Sequence, residues 1–178
     1  MNQQSYIKPE IDENKAINAI HQHSSGVMMK LFGQKKASLK SIELVYLPFW
    51  CYPYHLESAS LNGGVEGKLA MEPITGISAI LPAEYPLHPV EEGLNFLPLN
   101  EPENKEAARK AIYWEAFSKE KQRKSIDVEV HTPWILYMPY WVGYLKGKEY
   151  DILCVDAVTG KIDLPIKKAI LLQVTTSI

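Results

Sequence analysis

At 178 residues, 46% of them hydrophobic and 22% charged, the chain is long enough for one well-buried core or two small ones and too apolar to be disordered over most of its length. Nineteen basic residues against twenty-one acidic ones leave a formal charge of −2, with neither half far from neutral, so no broad field favours nucleic acid or an anionic membrane. Met1–Glu10 is polar with no apolar h-region, and no later run approaches the roughly eighteen apolar residues of a membrane span, so a cytoplasmic chain without a spanning helix is expected.

Asp12 offers a helix N-cap after Pro9, and Ile17, Ile20, Val27, Met28 and Leu31 follow near helical spacing. Lys30, Lys35 and Lys36 collect where that helix should end, which suits the negative end of its dipole. From Ser41 the period changes to two, with Ile42, Leu44 and Tyr46 on one side and Glu43, Val45 and Leu47 on the other, which predicts a strand. Pro48 cannot donate to a ladder, so the strand is expected to break or bulge there before Phe49–Tyr52 resumes it. Val65–Met71 reads as the next strand, and Glu72-Pro73-Ile74-Thr75-Gly76 as a hairpin loop into Ile77–Leu81.

Five of the twelve prolines fall within residues 82–103, interspersed with Tyr85, Leu87, Leu94, Phe96 and Leu97, which predicts an extended connection packed along the surface. Asn104 then caps a second helix rich in alanine, with Tyr113, Trp114 and Phe117 widening its apolar face. Strand pattern returns at Ile126, Val128 and Val130, passes Pro133, and runs from Trp134 to Trp141, with a second break expected at Pro139. Tyr144–Tyr150 reads as a hairpin, Asp151–Val155 as its return strand, and Asp156-Ala157-Val158-Thr159-Gly160 as a tight turn in which the aspartate accepts local N–H groups and the glycine takes positive φ.

The organising pattern is a repeat. Tyr46-Leu47-Pro48-Phe49-Trp50 recurs as Tyr137-Met138-Pro139-Tyr140-Trp141, and Thr75-Gly76 recurs as Thr159-Gly160. The fold class predicted is α+β in two tandem repeats, residues 1–81 and 104–178, each one helix packed on an antiparallel meander of about four strands. Units of this size are marginal alone, so the two are expected to pack as a pseudo-twofold pair with their aromatic segments at or near the interface.

Val155-Asp156-Ala157-Val158-Thr159-Gly160 resembles the last hairpin of PepSY-like modules, and with Tyr137–Trp141 it is also similar to bacterial and archaeal proteins that carry a Tyr-x-Pro-aromatic-Trp strand. The resemblance implies a non-enzymatic helix-on-sheet module used in inhibition, regulation or assembly.

The function expected is therefore a non-catalytic binding or assembly protein with another protein as partner. Tyr46, Phe49, Trp50, Tyr137, Tyr140 and Trp141 are the candidate contact residues. The alternative is a small-molecule groove between the repeats, in which Tyr46, Trp50, Tyr137 and Trp141 stack on a ligand and His55 or His131 serves as acid or base. A nucleic-acid adaptor built on Lys121, Arg123 and Lys124 is a third, weaker reading. No catalytic set, cofactor or metal site is predicted: His21 and His23 point to different faces of a helix, and Cys51 and Cys154 sit in separate apolar runs as buried, reduced thiols.

Overall fold

The computed structural model describes residues 3–24, 37–59, 61, 63–119 and 125–176. In chain order they form β1 (Gln4–Tyr6), α1 (Glu13–Ser24), β2 (Ser38–Glu57), β3 (Val65–Met71), β4 (Ser78–Leu81), β5 (His88–Pro89), α2 (Lys105–Lys119), β6 (Asp127–Val130), β7 (Trp134–Lys146), β8 (Tyr150–Asp156) and α3 (Lys167–Thr176). The class is α+β: the strands join in one mixed eight-stranded sheet in the order β4-β3-β2-β7-β1-β5, with β6 on the far end of β2 and β8 on the far end of β7. No described helix is long and apolar enough to cross a membrane.

The two long strands are the spine. β2 and β7 pair antiparallel from Ser38 opposite Lys146 to Cys51 opposite Trp134. Neither strand breaks at its proline, contrary to expectation; the one register shift lies between Leu39 and Ser41. Antiparallel ladders alternate hydrogen-bonded and non-hydrogen-bonded pairs, and both prolines occupy the second kind. Tyr46, opposite Pro139, turns its backbone away from β7, donating to the Asn95 carbonyl at 2.9 Å and accepting from the Leu97 N–H at 3.0 Å. Tyr137, opposite Pro48, likewise gives its carbonyl to the Ile7 N–H at 3.0 Å. The missing proline N–H therefore never faces the spine partner.

Both sheet faces are apolar, and both are covered. Val45, Leu47, Phe49 and Cys51 of β2 join Leu136, Tyr140 and Val142 of β7 beneath Ile166, Ala169 and Ile170 of α3 and its lead-in. On the other face Tyr46, Trp50, Tyr52 and Tyr54 pack with Leu69, Ile135 and Tyr137 beneath Ala108 and Ile112 of α2. Ala16 and Ile20 of α1 sit against Leu153 and Val155 of β8, and Gly143 leaves no Cβ in the way of the Ile20 tip.

Helix starts follow the capping pattern: Asp12 Oδ1 accepts the Lys15 N–H at 2.8 Å and Asn104 Oδ1 the Ala107 N–H at 3.0 Å. The buried stripe of α2 is Ala108, Ile112 and Ala116, with Tyr113 packed half-buried at its margin; Trp114, by contrast, is 61% exposed. α1 packs on β7 and β8, strands of the other half of the chain, and α2 bridges β3 of the first half and β6 of its own, so neither half closes its own core. Val27, Met28, Leu31 and the lysines at 30, 35, 36, 121 and 124, with Arg123, lie outside the described residues.

Cys51 and Cys154 are buried and free, and burial pushes both thiols up to about 12. Neither is expected to react with a thiol reagent at about pH 8 in the native chain, and both are expected to react in denaturant. A thiol count on native and unfolded protein checks this.

Candidate functional site: the paired aromatic segments

The two Tyr-x-Pro-aromatic-Trp stretches are each other's strand partners. Tyr46 faces Pro139, Leu47 faces Met138 and Pro48 faces Tyr137, so the local twofold relation passes through Leu47 and Met138. Because side chains alternate along a strand, the six candidate residues divide between the faces. Tyr46, Trp50, Tyr137 and Trp141 lie on the α1/α2 face, whereas Phe49 and Tyr140 are buried on the α3 face.

On the α1/α2 face the rings are covered from within. Phe96, from the proline-rich connection, places its ring centroid 5.2 Å from Tyr46 and 4.5 Å from Tyr137. Tyr6 stands edge-on to Tyr46 at 5.6 Å and donates its hydroxyl to Glu91 Oε1 at 2.7 Å. That hydrogen bond and burial push Tyr6 up to about 12. Burial raises Tyr46 and Tyr137 as well, and raises Tyr140 strongly, with Asp163 and Asp156 adding to it. These phenols hold their protons throughout the ordinary pH range. Tyr46 is 3% and Tyr137 8% exposed, so a ligand reaching them has to displace Phe96.

The tryptophans act as latches. Trp50 donates its indole N–H to the Glu101 carbonyl at 3.0 Å, just before α2, and Trp141 donates to the Ile11 carbonyl at 2.7 Å, just before α1. Each therefore holds the segment leading into a helix contributed by the other half. Trp134 is tied to Ser5 Oγ at 3.1 Å, fixing β1 against β7.

The two turns share the same backbone hydrogen bonds, and Glu72 accepts the Thr75 hydroxyl besides. Glu72 Oε1 accepts the Ile74 N–H at 3.0 Å and Oε2 the Thr75 N–H at 2.6 Å, while Asp156 Oδ1 accepts the Val158 and Thr159 N–H groups at 2.8 and 3.1 Å. The fourth residue onward is glycine both times, Gly76 at φ 73° and Gly160 at φ 76°, donating to the Glu72 and Asp156 carbonyls. Both acidic side chains are thus committed to turn closure, as the sequence predicted for Asp156.

His55 and His131 stand apart from the paired motif. His55 lies nine positions beyond Tyr46 on β2, about 30 Å at the strand rise. Its Nδ1 meets Glu66 Oε1 at 2.5 Å and its Nε2 meets Glu57 Oε1 at 3.1 Å, and these hydrogen bonds, Glu57 first, raise its pKa above 6.5. The stabilisation is fully present below the unfolded pKa and is lost as pH rises through the higher folded value. The melting-temperature advantage of the wild type over His55→Ala should therefore shrink as pH rises above 6.5; a constant difference contradicts it. His131 is more exposed, with Nδ1 3.8 Å from Glu129 Oε1. Among the described residues no group of three His, Cys, Asp or Glu side chains is arranged to hold a metal ion, and His21 and His23 are exposed on α1.

Sequence reasoning missed Phe96 and Tyr6 as partners of the motif tyrosines; the only signal was an aromatic in each otherwise polar or proline-rich segment. It also missed the open surface around α2. A groove of about 510 Å³ runs between β4 and α2, lined by Leu69, Ile80, Ala111 and Glu115 among others, and a smaller one of about 280 Å³ lies between α2 and β6 beside Tyr113 and Ile126. Neither is lined by any of the six candidate aromatics. On α2 the exposed Trp114 stands edge-on to Tyr113 at 5.6 Å and to Phe117 at 5.3 Å. Comparison with protein-family models, with curated proteins and with solved structures gives no match.

Proposed function

We propose that the chain is a cytoplasmic, non-catalytic binding or assembly protein made of two duplicated PepSY-like units, and that its partner is another protein docking on the outer face of α2. The observation that carries this reading is the division of the aromatic residues. Those of the paired segments direct their rings and indole donors inward, whereas Trp114 stands 61% exposed on α2, flanked by the half-buried Tyr113 and Phe117. Exposed aromatic clusters of this kind mark interaction sites, and tryptophan and tyrosine dominate the energetic centres of protein interfaces. Duplication is supported by register as well as by sequence: Trp50 faces Met71 as Trp141 faces Val155, and the Glu72 and Asp156 turns follow at the same distance.

Native mass spectrometry of the protein purified from the cells that make it tests the reading. A protein partner in fixed stoichiometry is expected with the wild type and with the His55→Ala/His131→Ala double variant, and is expected to be lost with Trp114→Ala. Turnover of a small molecule that disappears with the two histidines would contradict it and favour the groove alternative.

A further inference from the structure

Among the described residues the β4 edge is unpaired, and it is chemically unlike the other edges of the sheet. At β8 the outward Ile152 N–H is taken by Asp151 Oδ1 at 2.8 Å, which also holds Lys167 Nζ at 2.6 Å, and the Asp163 N–H covers the Cys154 carbonyl at 2.9 Å. β5 is two residues long and ends in Pro89, and β6 carries Asp127 and Glu129. These are the usual devices that stop a strand from pairing with another chain. β4, Ser78-Ala79-Ile80-Leu81, has no charge, no proline and no bulge; its first three residues are exposed, Ile80 by 39%.

Its backbone is set up for a specific partner. The β3–β4 ladder begins with the Glu72 N–H donating to the Ile77 carbonyl at 2.8 Å. Alternation from that bond turns the backbone groups of Ala79 and Leu81 to β3 and those of Ser78 and Ile80 to the open side. We propose that β4 pairs antiparallel with β4 of a second copy of this chain about a twofold axis at Ala79, extending the sheet across a homodimer.

The chain's own chemistry selects that register. With the axis at Ala79, Ser78 of each copy lies opposite Ile80 of the other, and both pairs are of the hydrogen-bonded kind, so every outward N–H and carbonyl of the two residues is used. With the axis at Ile80, Ser78 would lie opposite Pro82, which has no N–H to give. Ala79 falls at the close, non-hydrogen-bonded position on the axis, where Cα atoms approach to about 4.5 Å and a small side chain fits. Ser78 and Ile80 point to the side of Leu69 and Met71, so Ile80 of the second copy stands at the groove between β4 and α2. A symmetric pairing needs the same patch on both copies, and a strand paired antiparallel with its own copy meets this, each Ser78 facing the other copy's Ile80. So short an interface is weak, which makes the dimer concentration-dependent.

Sedimentation velocity of the full chain from about 1 to 200 µM tests this, together with two variants at the axis. The wild type should shift from monomer to dimer across the range. Ala79→Glu, which sets two carboxylates against each other on the axis, should stay monomeric at an unchanged melting temperature. Ala79→Cys should form an interchain disulfide in oxidised glutathione buffer at least tenfold faster than Asn18→Cys, an exposed position on α1. A wild type monomeric throughout, equal crosslinking of the two cysteine variants, or crosslinking of Ala79→Cys only to a different protein from its own cells would each overturn the proposal. Docking on the α2 face is tested separately, by Trp114→Ala.

Discussion

Trp50→Ala is expected to destabilise the protein by about 3–5 kcal/mol, through lost packing of a nearly buried indole and the loss of its bond to the Glu101 carbonyl. The milder Trp50→Phe keeps most of the apolar surface and removes the N–H, at a cost of about 1 kcal/mol. The location of the damage is more informative than its size. Hydrogen exchange in Trp50→Phe should rise first at the start of α2, and in Trp141→Phe at the start of α1, because those are the segments the two indoles hold. If each half closed on itself, the pattern would be reversed, with the β2 tryptophan protecting α1. Urea denaturation and exchange mass spectrometry on the four variants decide between the two.

Glu72→Ala should be the most damaging change in a turn. The carboxylate is fully buried and accepts the Ile74 and Thr75 N–H groups and the Thr75 hydroxyl. Truncation leaves these donors without their acceptor inside the protein, for a loss of about 3 kcal/mol or more. Asp156→Ala breaks the equivalent bonds in a turn that is partly solvated, where water replaces the carboxylate, and should cost about 1 kcal/mol. Glu72→Gln, which keeps an acceptor of similar shape, should fall between them. Equal losses at Glu72 and Asp156, measured by urea denaturation, would contradict this assignment of burial as the deciding difference.

Much of the secondary structure was legible because it was local. Period-two alternation marked β2, β3 and β7; Asp12 and Asn104 marked two helix starts; and the spacing of acid, threonine and glycine marked both turns. The α3 helix was missed although its signal was present, with Asp163 capping the Ile166 N–H at 3.2 Å and Ile166, Ala169, Ile170 and Gln173 buried at helical spacing. The uninterrupted passage of β2 through Pro48 was not legible, because whether a proline breaks a strand depends on which neighbour its nitrogen faces. That depends on the register between β2 and β7, a pairing between residues some ninety positions apart. The same holds for the candidate site. The sequence marked the six aromatics, but their division between two faces, their cover by Phe96, and the seating of α1 on β7 and β8 are all consequences of that pairing.

The central claim is that the halves are interlocked through paired aromatic segments and cannot fold separately. Expressing residues 1–103 and 104–178 as separate fragments tests it most directly, with amide chemical-shift dispersion as the readout. Each fragment alone should lack dispersed resonances, and mixing them should produce one folded species of 1:1 stoichiometry. A dispersed, cooperatively melting spectrum from either fragment alone would contradict the claim.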